Sequence, residues 1–156
     1  MKKTTYLRLL RLNAPVFIFA ILFVGLSACH RDIKKDKGVI VNELGDVCPT
    51  IAGVEGDEYV ITSSAQLSTL LGATGCTTST FGVDFTKNTL LGKYVKGKCK
   101  MKIYNQVKRE DGSKRIMFNI LANSKGFCDT DYYEWTWVVV PNFPSDYEVF
   151  FVIEKR

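Results

Sequence analysis

The sequence predicts a mainly β domain, an antiparallel β-sandwich or partly open barrel with one short helix. Three observations predict it. From residue 81 onward, apolar and β-branched stretches recur with turn residues between them, the pattern of strands joined by short connections. Only the stretch around Leu67, Leu70 and Leu71 combines helical spacing with start and stop signals. Cys48, Cys76, Cys99 and Cys128 form an even set, of the kind that braces small exported domains.

Taken in order, residues 39–41 read as a short strand, and residues 45–56, with Cys48-Pro49 and three glycines, as a loop that one disulfide can pin. Residues 59–61 form the next strand. Ser63-Ser64-Ala65-Gln66 has capping-box form: the Ser63 hydroxyl accepts from the Gln66 amide while the Gln66 side chain reaches back. Leu67, Leu70 and Leu71 then share a helical face, and Gly72 supplies the stop. After a loop over residues 75–80 come strands at 81–85, 89–104, 115–122, 132–140 and 147–154. Glu110-Asp111-Gly112-Ser113 contains the Asp-Gly pair favoured in tight hairpins. Pro141-Asn142-Phe143-Pro144 breaks the chain, since proline has no N–H for a ladder. Successive hairpins predict antiparallel pairing, with the helix packed at one edge of the sheets. Tyr147, Val149, Phe151 and Ile153 share one face of the last strand; Phe150 and Val152, opposite, predict cover on both sides.

Ahead of this domain lies a different composition. Residues 1–11 carry Lys2, Lys3, Arg8 and Arg11 without an acid, and residues 16–26 are an unbroken apolar or glycine run. That is the layout of an export signal, and the run is too short for the roughly 20 apolar residues that span a bilayer. Leu26-Ser27-Ala28-Cys29 closes it and resembles the lipobox of bacterial lipoproteins. The resemblance implies cleavage before Cys29, a diacylglycerol on its sulfur and acylation of its freed amine. The expected organisation is a signal peptide at 1–28, a charged tether at 29–38 (Arg31, Asp32, Lys34, Lys35, Asp36, Lys37) and one domain at 39–156. The expected location is the bacterial envelope, lipid-anchored, at the outer rather than the inner membrane.

Charge and cysteines narrow the function classes. The formal charge is +5, from 21 Lys plus Arg against 16 Asp plus Glu. Four of the basic residues belong to the leader, so the mature chain holds 17 against 16, a net charge of +1. Nothing in that balance points to nucleic acid. With Cys29 as lipid carrier, the other four cysteines allow three disulfide pairings, which spacing alone does not decide. Cys48 with Cys76 and Cys99 with Cys128 is the favoured set, because the second pair flanks a hairpin that brings its ends together. Zinc has little to bind, since no CxxC or HxxxH spacing occurs and His30 is the only histidine. No cofactor is expected.

Three constellations invite chemistry. Lys96, Lys98, Lys100 and Lys102 alternate along the expected 89–104 strand, which would project all four ammonium groups from one face. They form either an anion-docking stripe or a solvated strand that resists edge-to-edge pairing. Tyr133, Trp135 and Trp137 alternate likewise; exposed they would stack on sugar rings, and followed by Val138-Val139-Val140 they read as core between sheets. Asp129, Asp131 and Glu134 are the carboxylates available to a hydrolase, although Asp129 and Asp131 read more simply as the cap of a turn. No nucleophile elbow, phosphate loop or dinucleotide fingerprint occurs.

From Ser63 onward the order of the Ser-Ser-Ala-Gln-Leu helix, Val83-Asp84-Phe85-Thr86-Lys87-Asn88-Thr89-Leu90-Leu91-Gly92, the lysine-rich strand, Trp135-x-Trp137, Val140-Pro141 and Tyr147-x-Val149-x-Phe151 resembles small lipoproteins of the Bacteroidetes type. It is more distantly similar to the C-terminal domain of PrcB-like proteins, which stabilise a protease complex. Gly92-Lys93-Tyr94 stands here where that group has Gly-Gly-Tyr. Neither resemblance carries a catalytic residue. The resulting expectation is a non-enzymatic binding or structural module, anchored through Cys29 and directed at another envelope protein. The alternatives are a binder of an anionic or glycan ligand through the lysines or aromatics, and a hydrolase using carboxylates.

Overall fold

A computed structural model of the chain describes residues 36–156 apart from 73, 125 and 127. The leader at 1–28, the lipidation candidate Cys29 and most of the tether lie outside the described residues. Seven strands and two helices follow in the order β1 (Asn42–Gly45), β2 (Glu58–Ile61), α1 (Ser64–Leu71), α2 (Thr78–Phe81), β3 (Asn88–Lys98), β4 (Met101–Glu110), β5 (Arg115–Ser124), β6 (Asp131–Pro141) and β7 (Glu148–Lys155). They form two sheets, β1-β6-β3-β2 and β4-β5-β7. The class read from the sequence holds: the domain is a β-sandwich, with no closed barrel among the described residues.

Residues 88–141 are one long hairpin folded back on itself. Its lower half pairs β3 with β6 from Asn88↔Pro141 to Lys98↔Asp131. Its upper half pairs β4 with β5 from Met101↔Ser124 to Glu110↔Arg115. Between the halves both arms turn, so that β4 and β5 leave the first sheet and become the second. Cys99 adopts a left-handed conformation (φ 58°), and its N–H donates to Thr130 O at 3.0 Å. The Cys99–Cys128 disulfide joins the arms at this level, and Cys48–Cys76 is the other bridge. Both pairs are those the sequence favours.

Several sequence expectations are corrected. The 89–104 segment is two strands rather than one, because the left-handed Cys99, two residues after Gly97, ends β3. Residues 81–85 are no strand. Phe81 ends α2, whose Thr77 N–H donates to Thr80 Oγ1 (3.4 Å), and Asp84 then holds a turn through Thr86 N–H (3.0 Å) and Thr86 Oγ1 (2.6 Å). Short polar side chains thus satisfy the local backbone and override the alternating Phe81, Val83 and Phe85. The 39–41 strand moves to Asn42–Gly45, since Val39 N–H bonds Val107 O of β4 and Val41 N–H bonds Val139 O of β6. That segment steps from one sheet to the other. The Asp111-Gly112 turn is a longer loop, closed by a left-handed Lys114 (φ 52°). Finally, β5 and β7 pair in parallel. A parallel pair needs a long crossover, and β6, running through the facing sheet, provides it.

The first sheet is covered on both faces. One face carries Leu91, Val95, Val138 and Val140 against Val107, Ile116, Phe118 and Ile120 of the second sheet. The other carries Leu90, Trp135, Trp137 and Val139 against Leu67 and Leu71 of α1, Phe81 of α2, and Cys48 and Ile51. Trp135 and Trp137 are therefore core, yet they lie beneath the helices and the 46–57 loop rather than between the sheets, which corrects the expected placement. Trp135 Nε1 donates to Ile51 O at 3.0 Å, tying that loop down. The predicted helix stands as read: Gln66 N–H donates to Ser63 Oγ at 3.2 Å, and the Gln66 side chain accepts from Thr62 N–H at 2.8 Å. By contrast, β7 is not covered on both sides, since Val152 is 43% exposed.

Gly92 lies opposite Trp137 in the β3–β6 ladder, and a Cβ there would enter the indole ring. Overfilling a packed core costs about 1–3 kcal/mol. Gly92→Ala is expected to lower unfolding stability by about that amount in chemical denaturation. In a Trp137→Leu background the added cost of Gly92→Ala is expected to shrink, because the obstructing ring is gone; an undiminished cost would exclude this packing account.

Candidate functional site at the hairpin bend

The bend gathers the ends of four strands around an open cleft of about 420 Å³ lined by Glu55, Lys96, Gly97, Lys98, Ser124, Asp131, Lys155 and Arg156. Lys98 and Asp131 are cross-strand partners at the last rung of β3–β6. Ser124 ends β5, and the parallel β7 delivers Lys155 and Arg156 to the same end. Glu55 comes from the loop that Trp135 ties down.

Its charges are interleaved. Asp131 bridges two lysines, Lys96 Nζ to Oδ2 at 2.9 Å and Lys98 Nζ to Oδ1 at 2.8 Å. Lys98 Nζ also donates to Asp129 O at 3.0 Å. Glu55 takes Lys155 at 3.1 Å and Lys96 at 3.9 Å. Lys96 further lies 5.3 Å from the centre of the Tyr133 ring. Hydrogen bonding from Lys98 and then Lys96 pulls the Asp131 carboxyl down to about 2. Hydrogen bonding with Asp131, and then with Tyr133, holds the Lys96 ammonium well above its ordinary range.

Of the four lysines in the sequence pattern, the structure brings two together here. Lys96 and Lys98 line the cleft, Lys100 sits in the turn, and Lys102 starts up β4 in the other sheet, its Nζ 5.0 Å from the centre of the Tyr104 ring. The four-lysine face is thus corrected by the bend, which sends the two halves of the pattern in different directions. The carboxylates also separate. Asp131 and Glu134 occupy opposite faces of β6 by strand alternation. Asp131 is engaged by lysines, whereas Glu134 is raised by desolvation and by the nearby charge of Asp46, with Lys100 opposing. Trp135 and Trp137, 2% and 0% exposed, offer no face for a sugar ring.

Glu55, Ser124, Lys155 and Arg156 were not singled out by sequence pattern. Their positions along the chain carry no mutual spacing, and only sheet pairing unites them. A further charge went unread inside β3: Lys93 is 5% exposed, with Nζ donating to Gly56 O and Glu58 Oε1, both at 2.8 Å. A lysine within the apolar run at 89–95 was its available signal.

The cleft makes stability acid-dependent with a definite sign and, because its ion pairs are solvent-screened, a small magnitude. Asp131 binds a proton less readily folded (about 2) than at its ordinary value of 3.8, so protonation favours the unfolded chain. Its contribution is complete above about pH 4 and is expected to vanish as the pH falls through about 2. Thermal melts of wild type and Asp131→Asn should converge over that interval. A gap that stays constant down to pH 2 would refute the assignment.

No family model, curated protein or solved structure matches this chain.

Proposed function

We propose that this chain is an exported envelope protein, held to the membrane by lipid on Cys29, whose β domain is a non-enzymatic binding module for another envelope protein. Leu26-Ser27-Ala28-Cys29 supports the anchor, and the two disulfides suit an oxidising compartment. With more than one acyl chain such an anchor is firm.

The observation that carries the binding reading is the cleft at the bend. Its lysines are already partnered by Asp131 and Glu55, so a polyanion approaching Lys96 and Lys98 also meets two carboxylates. A protein surface offering both signs can exchange partners with these pairs, and like-charge mismatches would reject other surfaces. An anionic ligand is the second reading, favoured by Lys96, Lys98, Lys155 and Arg156 lining one cleft. The buried tryptophans lend it no stacking platform.

Radiolabelled palmitate is expected to enter the wild-type protein and not Cys29→Ser; equal labelling would remove the anchor from this reading. In intact envelopes, a photo-crosslinking residue at Ser124 is expected to capture one discrete protein partner. The same probe at Gly112, on the hairpin tip, should not capture it. Capture of the same species from both positions would count against the cleft, and salt-sensitive binding to an anionic polymer with no protein captured would favour the second reading.

A further inference from the structure

We propose that two copies of this chain associate through β7, pairing antiparallel edge to edge so that the sheet β4-β5-β7 continues across the dimer. The inference does not depend on the lipid anchor; it shares Arg156 with the lining of the cleft.

β7 is the edge strand of its sheet. Glu148 N–H donates to Lys114 O and Arg156 N–H to Ala122 O, so the even-numbered residues direct their backbone groups towards β5. Val149, Phe151 and Ile153 therefore direct theirs to the opposite edge, which no strand among the described residues pairs. Such a row of N–H and C=O groups is a template for another strand. Natural edges are commonly blunted by proline, bulges or inward-pointing charge. Residues 149–153, Val-Phe-Phe-Val-Ile, contain none of these, and Val152 stands 43% exposed on the outer face.

The occupant that matches this edge is β7 itself. Two-fold antiparallel pairing must set odd residues against odd and even against even, to keep the core face of each strand on the same side. In the register that places Val152 opposite its own copy, Phe151 meets Ile153 and Glu148 meets Arg156 of the second molecule, twice by symmetry. Arg156 is held by Glu154 on its own strand at 2.7 Å. The register thus joins an apolar centre to opposite charges at each end, a complementarity found in cross-strand pairs.

The test uses the full chain. Val152→Cys in the purified full chain, oxidised with copper phenanthroline, is expected to give a species of twice the mass on non-reducing gels, because a non-hydrogen-bonded antiparallel pair brings its side chains close. Gly112→Cys, at the hairpin tip, should not. In sedimentation of the detergent-purified protein, Glu148→Arg is expected to weaken the dimer by roughly tenfold, and adding Arg156→Glu should restore it. Far-ultraviolet circular dichroism confirms that each variant is folded. A protein monomeric at every concentration, equal crosslinking at both positions, a dimer indifferent to Glu148→Arg, or a folded double variant without recovery would each overturn the proposal.

Discussion

The domain depends on the doubling back of a single long hairpin. Both arms must turn at the same level for sequence neighbours, β3 with β4 and β5 with β6, to become members of facing sheets. The left-handed Cys99 turns one arm, and its disulfide to Cys128 ties it to the other. A bridge enclosing a loop of this length restricts the unfolded chain and typically contributes about 2–4 kcal/mol. Here it also joins the two places where the strands change sheet. The cleft is a consequence of that turn: Lys96, Lys98, Ser124 and Asp131 are the strand ends that the turn leaves side by side.

Placing the second sheet against the first requires more than grease. Asn105 and Thr136, buried between the sheets, bond each other at 2.9 and 3.1 Å. Shifting β4 by one residue would leave an amide buried without a partner, at a cost of about 1–3 kcal/mol. Apolar contacts tolerate small slips; this pair does not. Lys93 acts similarly, since its buried ammonium needs both Gly56 O and Glu58 and so ties β2 and the preceding loop to β3. On the opposite face, Gly92 leaves room for the Trp137 ring that Phe81 meets edge-on. The central sheet is thereby fixed from both sides.

This rigidity bears on how the cleft would work. A binding surface whose charges are held by tied-down strands loses little conformational entropy on association. Its ion pairs are largely exposed, so each contributes little to stability, and exchanging them for pairs with a partner carries a small cost. The proposed functions divide along the fold: partner recognition at the bend, where strands end, and self-association along β7, where one strand's edge has no neighbour among the described residues.

Most of the strands, the first helix and, through the hairpin between its cysteines, the Cys99–Cys128 pairing were legible because their causes are local. Alternation, a Ser63–Gln66 cap and a hairpin joining Cys99 to Cys128 are all properties of nearby residues. The breaks that local signals missed came from Cys99 in the left-handed region and from the Thr77, Thr80 and Asp84 hydroxyl and carboxylate turns around the left-handed Gly82. The lysine pattern was legible as a pattern and misplaced as a surface, because a bend within it redirected its second half. What the sequence by itself determined was composition along each strand: which residues alternate, where a helix can start, and that four sulfurs are available to pair. Only the tertiary structure decided which face of the first sheet meets helices, that β7 runs parallel to β5, and that Glu55, Asp131 and Lys155 share a cleft. Those outcomes rest on contacts between segments far apart in the chain, for which no spacing rule exists, and on packing, which selects among arrangements that local chemistry leaves equal.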